Sequence, residues 1–332
     1  LYPYLTALLY RLGDGPWAVT VFQALCGAGT VAGVHRLGSW LHGARSGLLA
    51  GLLTLLFAPA LWYEGWQLPT TLNLFLVTVA LNLQIAWLRP ADLVRSRRIA
   101  LAVGLGLTLG LASILRPQNL LLTIPILVWV GWRECAAGRS RWRAAGLAAA
   151  AVLATVAPVT LHNLSVSGEP VLVSANGGVN FYVGNHREAD GRFSFPPGFP
   201  TYIGQIQVHA LAAAEQEEGR PLTWRQASAF WFARGWNDLA SDPGRALSLG
   251  WRKARLLVSW REMENNFVVA WVRAHTGPAR LLIPSLGLLW LLAVPALARA
   301  IRRREPKDLA LLIPLATVAV VCLVFWVSTR NR

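Results

Sequence analysis

Apolar segments alternate with short polar ones along most of this 332-residue chain. A helix that crosses a membrane needs about 20 predominantly apolar residues. Eight segments, two of them rather short, have this character: residues 17–34, 46–63, 70–88, 99–115, 120–132, 144–161, 279–298 and 309–327. The pattern predicts an all-α polytopic membrane protein with about eight transmembrane helices.

The polar stretches divide the chain into three predicted parts. Residues 1–161 are predicted to form a membrane domain, with a juxtamembrane helix at residues 1–12 followed by about six spans. Residues 162–278 are predicted to form an external loop region, and residues 279–332 to form two C-terminal spans. Because the chain begins at Leu1 without a methionine and stops just after an apolar segment, we expect it to be a fragment.

The external loop region is predicted to be mixed but mainly helical. Its first part, to about Tyr202, is expected to contain turns and short strands. A helix is predicted at residues 205–218, and Thr223 with Gln226 has the sequence of a capping box ahead of a second helix. Asp242 precedes a proline, which is typical of a helix N-cap, so a third helix is predicted to begin there.

Composition and charge support the membrane assignment and indicate a topology. Hydrophobic residues make up 55% of the chain, the mean hydropathy is +0.44, and charged residues make up only 14%. A net charge of +15 can indicate a nucleic-acid partner, but here many arginines cluster in short loops, as the positive-inside rule requires of cytoplasmic loops. The predicted external segments are then residues 1–16, 64–69, 116–119, 162–278 and 328–332. The excess of arginine over lysine is typical of a GC-rich bacterial genome. The predicted location is the bacterial inner membrane, with the long loop on the external side.

Residues 174–193 form a polar, glycine-rich and aromatic stretch in this otherwise apolar chain. Its glycines permit tight backbone turns, so one interpretation is a hairpin with an Asn-Gly turn. The other interpretation is a loop that binds a ligand. Asn180, Tyr182 and Asn185 offer neutral hydrogen-bonding groups, which suit hydroxyl-rich or phosphate-bearing ligands.

Two charged residues fall at the predicted outer ends of membrane helices. Arg116 is the single basic residue of a short external hairpin, where a guanidinium either binds the phosphate of a lipid-linked substrate or anchors the helix. Glu64 lies at the same predicted depth. A carboxylate there can orient a hydroxyl, pair with Arg116, act as a base, or simply be solvated.

Further candidates lie toward the C-terminal end. Glu264 and Asn265 belong to a polar cluster that forms either one wall of a site or, with neighbouring basic residues such as Lys253, ordinary surface ion pairs. Arg330 is either a second phosphate contact or a helix anchor. The histidines and cysteines lack metal-ligand spacing, so the sequence requires no metal or other cofactor.

Several of these stretches resemble bacterial membrane glycosyltransferases of the GT-C class, the branch related to dolichyl-phosphate-mannose protein mannosyltransferases and lipid A aminoarabinose transferases. The stretches that carry the resemblance are residues 1–13, 59–65, 115–117, 157–163, 168–170, 177–185 and 190–191, and more weakly residues 260–266 and 328–332. The resemblance implies transfer of a sugar from a polyprenyl-phosphate donor to an acceptor hydroxyl at the outer leaflet, usually with inversion. It also implies an acidic general base in the first external loop, which would precede Leu1 and so be missing from this fragment.

The resemblance also assigns roles to the candidate residues. Arg116 would bind the donor phosphate with Arg330 as a second contact, and Glu64 would orient donor or acceptor. The sugar or acceptor side would be lined by Asn180, Tyr182 and Asn185, with Glu264 and Asn265 as a further wall. The partners implied are a polyprenyl-phosphate-linked sugar donor, a glycan, lipid or protein acceptor, and membrane lipids, without nucleic acid.

Two other functional classes remain open at this stage. A lipid-linked glycan transporter of a charged solute usually has ionisable residues at mid-membrane depth, and the predicted spans contain essentially none. An oligosaccharide ligase or polymerase would use similar lipid-linked donors and external basic residues. Only the acceptor distinguishes that class from a glycosyltransferase.

Overall fold

The computed structural model describes residues 1–13, 15–88, 94–263, 274–275, 282 and 286–328. Fourteen α-helices account for most of these residues: α1 (Tyr2–Leu12), α2 (Pro16–His42), α3 (Ala44–Leu55), α4 (Ala58–Glu64), α5 (Thr70–Ile85), α6 (Arg95–Leu115), α7 (Asn119–Ala136), α8 (Arg141–Ser167), α9 (Gly177–Asn185), α10 (Ile206–Glu218), α11 (Trp224–Ala240), α12 (Pro243–Leu257), α13 (Leu286–Arg303) and α14 (Pro306–Val324). A short 3₁₀ helix, Ala86–Leu88, extends α5. The prediction of a mainly helical protein is confirmed.

Five of the described helices are long and apolar enough to cross a membrane: Pro16–His42, Thr70–Leu88, Arg95–Leu115, Trp142–Ser167 and Pro306–Val324. The predicted count of eight is therefore not confirmed. The predicted span at residues 46–63 is divided between α3 and α4. With 12 residues, α3 is about 18 Å long, well short of the roughly 30 Å hydrocarbon core.

The chain divides into two compact units. The first consists of Leu1–Pro158 and His275–Leu315, and the second of Val159–Ala274 and Ala316–Arg332. We call them unit 1 and unit 2. The three-part division of the sequence into a membrane domain, a loop region and two final spans stays a prediction.

In unit 1, α2 lies directly against α5, with small residues at the contact. A Cβ atom on Gly29 would lie 2.6 Å from the Phe75 ring, and one on Gly33 would lie 2.6 Å from the Thr78 methyl group. The residue numbers rise together along the contact, so the two helices are parallel. The side chain of Asn82 donates a hydrogen bond of 3.2 Å to the carbonyl of Gly33, which secures the far end of this pair.

The directions of α6 and α8 follow from their contacts in the same unit. Arg116, just after α6, bonds to Thr70 at the start of α5, so α5 and α6 are antiparallel. A Cβ atom on Gly106 would lie 2.2 Å from the carbonyl oxygen of Ala148, which shows how closely α6 approaches α8. One turn on, Gly110 meets Thr155, so α6 and α8 are parallel.

At the end of unit 1 opposite to Arg116, a buried carboxylate forms hydrogen bonds with two other side chains. Glu134, on α7, is only 4% exposed. It accepts a hydrogen bond of 3.2 Å from the indole N–H of Trp87 and two of 3.0 Å from the guanidinium of Arg139. These bonds tie the 3₁₀ turn after α5 to the end of α7. They satisfy an ionised group that would otherwise be costly to bury.

Unit 2 is built around α9 and α11. Tyr182 and Trp231 stack with their ring centroids 4.7 Å apart, and the Trp231 indole donates a hydrogen bond of 2.8 Å to the carbonyl of Ala210 on α10. The predicted capping box of Thr223 and Gln226 is present at the start of α11. The predicted N-cap of α12 is also present.

The predicted turns and short strands before Tyr202 are only partly found. Within residues 162–202, all of which the structure describes, extended pairing is limited to the isolated bridge of Arg192 with Val327. The prediction of strands in this region was wrong, because its most polar stretch forms α9 instead.

Candidate functional site

One end of unit 1 collects polar side chains from several helices. Gln23 donates a hydrogen bond of 2.7 Å to the carbonyl of Trp66, in the loop that follows Glu64. Asn119, at the start of α7, donates one of 2.6 Å to the side chain of Asn73 near the start of α5. Arg116 lies at this end as well, because it contacts the first residue of α5. Glu64 and Arg116 are therefore at the same end of the bundle.

Arg116 sits where α6 ends, with an extended backbone that turns the chain toward α7. Its side chain is only 9% exposed, and one guanidinium nitrogen donates a hydrogen bond of 2.9 Å to the hydroxyl of Thr70. A cation at a helix C-terminus is stabilised by the partial negative charge of the last carbonyl groups. The guanidinium is thus fixed in position, and its fork of donors suits a phosphate group.

Glu64 ends α4, outside the five candidate spans, and its carboxylate lies against the backbone of α2. A Cβ atom on Gly27 would lie 2.0 Å from one carboxylate oxygen of Glu64. Within the described part of the chain, no ion pair or hydrogen bond to this carboxylate is found, so the predicted pairing with Arg116 is not present. Burial raises the pKa of Glu64 to about 7. Near neutral pH the group can therefore give or accept a proton.

Gln23, which was not among the residues predicted from the sequence, lies one helical turn from Gly27 on the same face of α2. Its side chain is 1% exposed, and its amide oxygen has no hydrogen-bond partner among the described residues. A buried acceptor without a partner is costly, so such groups often face a ligand or water. The signal in the sequence was a glutamine inside an apolar span, a residue type that hydrophobic periodicity alone does not explain.

Replacing Gly27 with alanine is expected to move the Glu64 carboxylate without unfolding the protein. The new methyl group would occupy the position of a carboxylate oxygen, and a side-chain end can move aside at small cost. We expect the activity of the protein to fall about tenfold while the melting temperature changes little. Gly104→Ala is the matched control, because its nearest neighbour would be the Leu83 methyl at 3.7 Å. Equal activity of the two variants would contradict the role of this contact.

In unit 2, the glycine-rich stretch forms a helix rather than a hairpin or an open loop. The backbone N–H of Asn180 donates a hydrogen bond of 3.0 Å to the carbonyl of Asn176, which begins α9. In this stretch only Gly191 has a positive φ, of +95°. Two glycines of α9, Gly178 and Gly184, instead allow other parts of unit 2 to approach its backbone closely. The hairpin interpretation was wrong for this reason.

The three binding residues predicted on this stretch have different surroundings. Tyr182 is 9% exposed and stacks on Trp231, and burial raises the pKa of its hydroxyl. Asn185 is 3% exposed, and its amide group is fully engaged in hydrogen bonds within unit 2. Asn180 is half-buried, and in the described residues no hydrogen bond to its side chain is found. Of the three, Asn180 is the one whose amide is available for a ligand.

Asn185 belongs to a polar cluster with Lys253 at the end of α14. The Asn185 amide donates a hydrogen bond of 2.8 Å to the carbonyl of Val324, and its oxygen accepts one of 2.8 Å from the ammonium of Lys253. The same ammonium donates to the carbonyl of Leu323 at 3.1 Å. Lys253 is only 1% exposed, so the alternative of a surface ion pair does not hold for this residue. The two side chains together cap the last carbonyl groups of α14.

The Lys253→Met variant is expected to lose a pH dependence of stability. Burial, with Arg245 adding to it, lowers the pKa of Lys253 to about 8, whereas a lysine in an unfolded chain titrates near about 10.4. Between these two pKa values the lysine binds more protons in the unfolded chain than in the folded protein, so raising the pH should stabilise unit 2. Below about pH 8 the lysine is protonated in both states, so it adds no pH dependence to the stability. Denaturation midpoints of the full chain at about pH 7 and about pH 9.5 measure this rise. Lys307→Met, which removes a partly exposed lysine, should keep it.

A known protein family matches the N-terminal part of the chain. The model of the family described as dolichyl-phosphate-mannose-protein mannosyltransferase matches residues 1–162. Residues 1–162 are similar to this family. The resemblance inferred from the sequence is thereby confirmed, and the protein is a multi-pass membrane protein of the glycosyltransferase class. No curated protein and no solved structure matches the chain.

The part of the chain that is similar to the mannosyltransferase family contains Glu64 and Arg116 but not the candidates of unit 2. Asn180 lies beyond the matched residues. Glu264, Asn265 and Arg330 lie outside the described residues, so their roles stay predictions. The candidate site that the structure describes is therefore the polar end of unit 1, formed by Gln23, Glu64 and Arg116.

Proposed function

We propose that the protein transfers a sugar from a polyprenyl-phosphate-linked donor to an acceptor hydroxyl on the outer face of the bacterial inner membrane. The observation that carries this proposal is the placement of Arg116 and Glu64 at one end of a bundle that is similar to the mannosyltransferase family. One group is a buried, oriented cation, and the other is a half-buried carboxyl group that can be ionised or protonated near neutral pH. A lipid phosphate and a sugar hydroxyl are the partners that such a pair suits.

The proposed reaction exchanges one bond at the anomeric carbon for another. The acceptor hydroxyl oxygen forms a bond to the anomeric carbon while its proton passes to a base. The bond from that carbon to the phosphate oxygen breaks, and the lipid phosphate leaves with the electron pair. Arg116 stabilises the charge that grows on the leaving phosphate, and Glu64 orients a hydroxyl of donor or acceptor.

The outer-face assignment rests on charge. The loops predicted to be cytoplasmic are the ones rich in arginine, and Glu64 and Arg116 lie at the other end of unit 1 from the Glu134 cluster. We propose that residues 162–278 are on the external side with them. Asn180 is the residue of this region that we propose as a sugar contact, and Tyr182, Asn185, Glu264, Asn265 and Arg330 stay predictions.

The test is transfer of radiolabelled sugar by the full chain in membrane vesicles, with polyprenyl-phosphate and polyprenyl-pyrophosphate donors compared. We expect label to reach an acceptor, and Glu64→Gln to slow this at least about tenfold. Glu188→Gln is the matched control, since this carboxylate is exposed in unit 2. Labelled lipid that crosses the bilayer without transfer would overturn the proposal in favour of a transporter. Transfer of a whole oligosaccharide would instead identify a ligase or polymerase.

A further inference from the structure

Helix α12 presents an apolar and basic face that no described part of the protein covers. Leu247 and Trp251 are four residues apart and are 78% and 66% exposed, and Val258, just beyond the helix, is 54% exposed. Residues at this spacing share one side of a helix. Arg255, one helical turn after Trp251, is exposed on the same side, and Arg252 is exposed about 100° further round the helix, at the edge of this face. Water is an unfavourable surrounding for so large an apolar stripe.

The charged residues of α12 are all basic. Helix α12 contains three arginines and Lys253 and not one acidic residue from Pro243 to Leu257. Neither Arg252 nor Arg255 takes part in an ion pair within the described residues. The combination of tryptophan, leucine and arginine on one face is typical of helices that lie in the interface of a membrane, where arginine meets lipid phosphates.

The other face of α12 is attached to the end of a candidate membrane span. Leu249 is 3% exposed, and Lys253 reaches the carbonyl of Leu323, the last residue but one of α14. Helix α14 is among the five helices able to cross a membrane. The end of such a span lies at the depth of the lipid headgroups. Helix α12 is therefore held within reach of the membrane surface.

We propose that the exposed face of α12, formed by Leu247, Trp251, Arg252, Arg255 and Val258, lies in the lipid headgroup region and binds anionic lipids. Unit 2 then binds the surface of the bilayer through α12, in addition to any helix of unit 2 that crosses the membrane. The apolar side chains enter the boundary with the acyl chains, and the two guanidinium groups bind lipid phosphates. This inference does not depend on the proposed reaction and holds for any activity of the protein.

The test places a fluorescent label on this face and measures its quenching by lipid. Leu247→Cys is made in a Cys135→Ser background, since Cys26 and Cys322 are buried and react poorly with a label. The full chain is placed in nanodiscs whose lipids carry a nitroxide at the headgroup, with and without phosphatidylglycerol. Gln216→Cys on the exposed side of α10 is the matched control. We expect the label at position 247 to be quenched several-fold more than the control.

A second variant tests the role of charge. Arg252→Gln combined with Arg255→Gln should remove the extra quenching that phosphatidylglycerol produces at position 247, while the protein stays monodisperse. An aqueous quencher should reach the control label freely and the label at position 247 poorly. Equal lipid quenching at the two positions would overturn the proposal. So would protection of position 247 from the aqueous quencher without lipid quenching, which would indicate a second copy of the chain on this face.

Discussion

Replacing Arg116 with alanine is expected to reduce sugar transfer on the order of 100-fold. The guanidinium is buried and fixed by its bond to Thr70, so it is oriented before a substrate arrives. Preorganised charge of this kind stabilises the leaving phosphate more than a mobile side chain does. Arg116→Lys keeps the charge but loses the fork of donors, so we expect it to recover only part of the rate. Initial rates at varied donor concentration measure the effect.

The alternative role of Arg116 is that of a helix anchor, and two controls separate the roles. Thr70→Val removes the bond to the hydroxyl but leaves the charge, so it should slow transfer less than Arg116→Ala does. Melting temperatures of the three variants report the anchoring contribution. If Arg116→Ala melts far below wild type and the surviving folded protein transfers sugar at the normal rate, Arg116 is an anchor and the phosphate site lies elsewhere.

The sequence predicted the apolar helices better than it predicted their ends. Periodicity and length identify α6 and α14 within a few residues, because a membrane span is long and uniformly apolar. They fail at residues 46–63, where the chain forms two helices separated at residues 56–57. Proline 59 lies in the first turn of α4, a position that proline tolerates, so it marks the start of a helix rather than the middle of one.

The sequence predicted the features of the candidate site that depend on membrane topology. It did not predict the features that depend on contacts between helices. The alternation of basic and non-basic loops placed Glu64 and Arg116 on one face, and the structure brings them to one end of unit 1. The contact of Glu64 with Gly27 joins residues far apart in the sequence, so no local pattern reports it. Lys253 shows the same limit, because its neighbours are basic and exposed while its own side chain is buried.

Gly178→Ala is expected to prevent unit 2 from folding, while Gly177→Ala is expected to be harmless. A Cβ atom on Gly178 would lie 1.6 Å from the backbone oxygen of Ser228. Moving the two backbones apart to make room would also break the 2.9 Å hydrogen bond that the N–H of Gly178 donates to the Ser228 hydroxyl. Both groups belong to helices α9 and α11, whose backbones would have to separate. We expect a loss of about 3 kcal/mol or more in the free energy of unfolding.

Gly177 is the neighbouring glycine in the same helix, and a Cβ atom there would meet nothing within 4 Å. Alanine at position 177 removes freedom from the unfolded chain and suits a helix, so it should stabilise the protein by about 0.5–1 kcal/mol. Yield of folded protein and resistance of α9 to proteolysis measure both variants. Opposite effects at adjacent positions are expected only if the glycine-rich stretch is a packed helix. A hairpin or an open ligand-binding loop would make the two substitutions similar, so this pair decides which structure the stretch has.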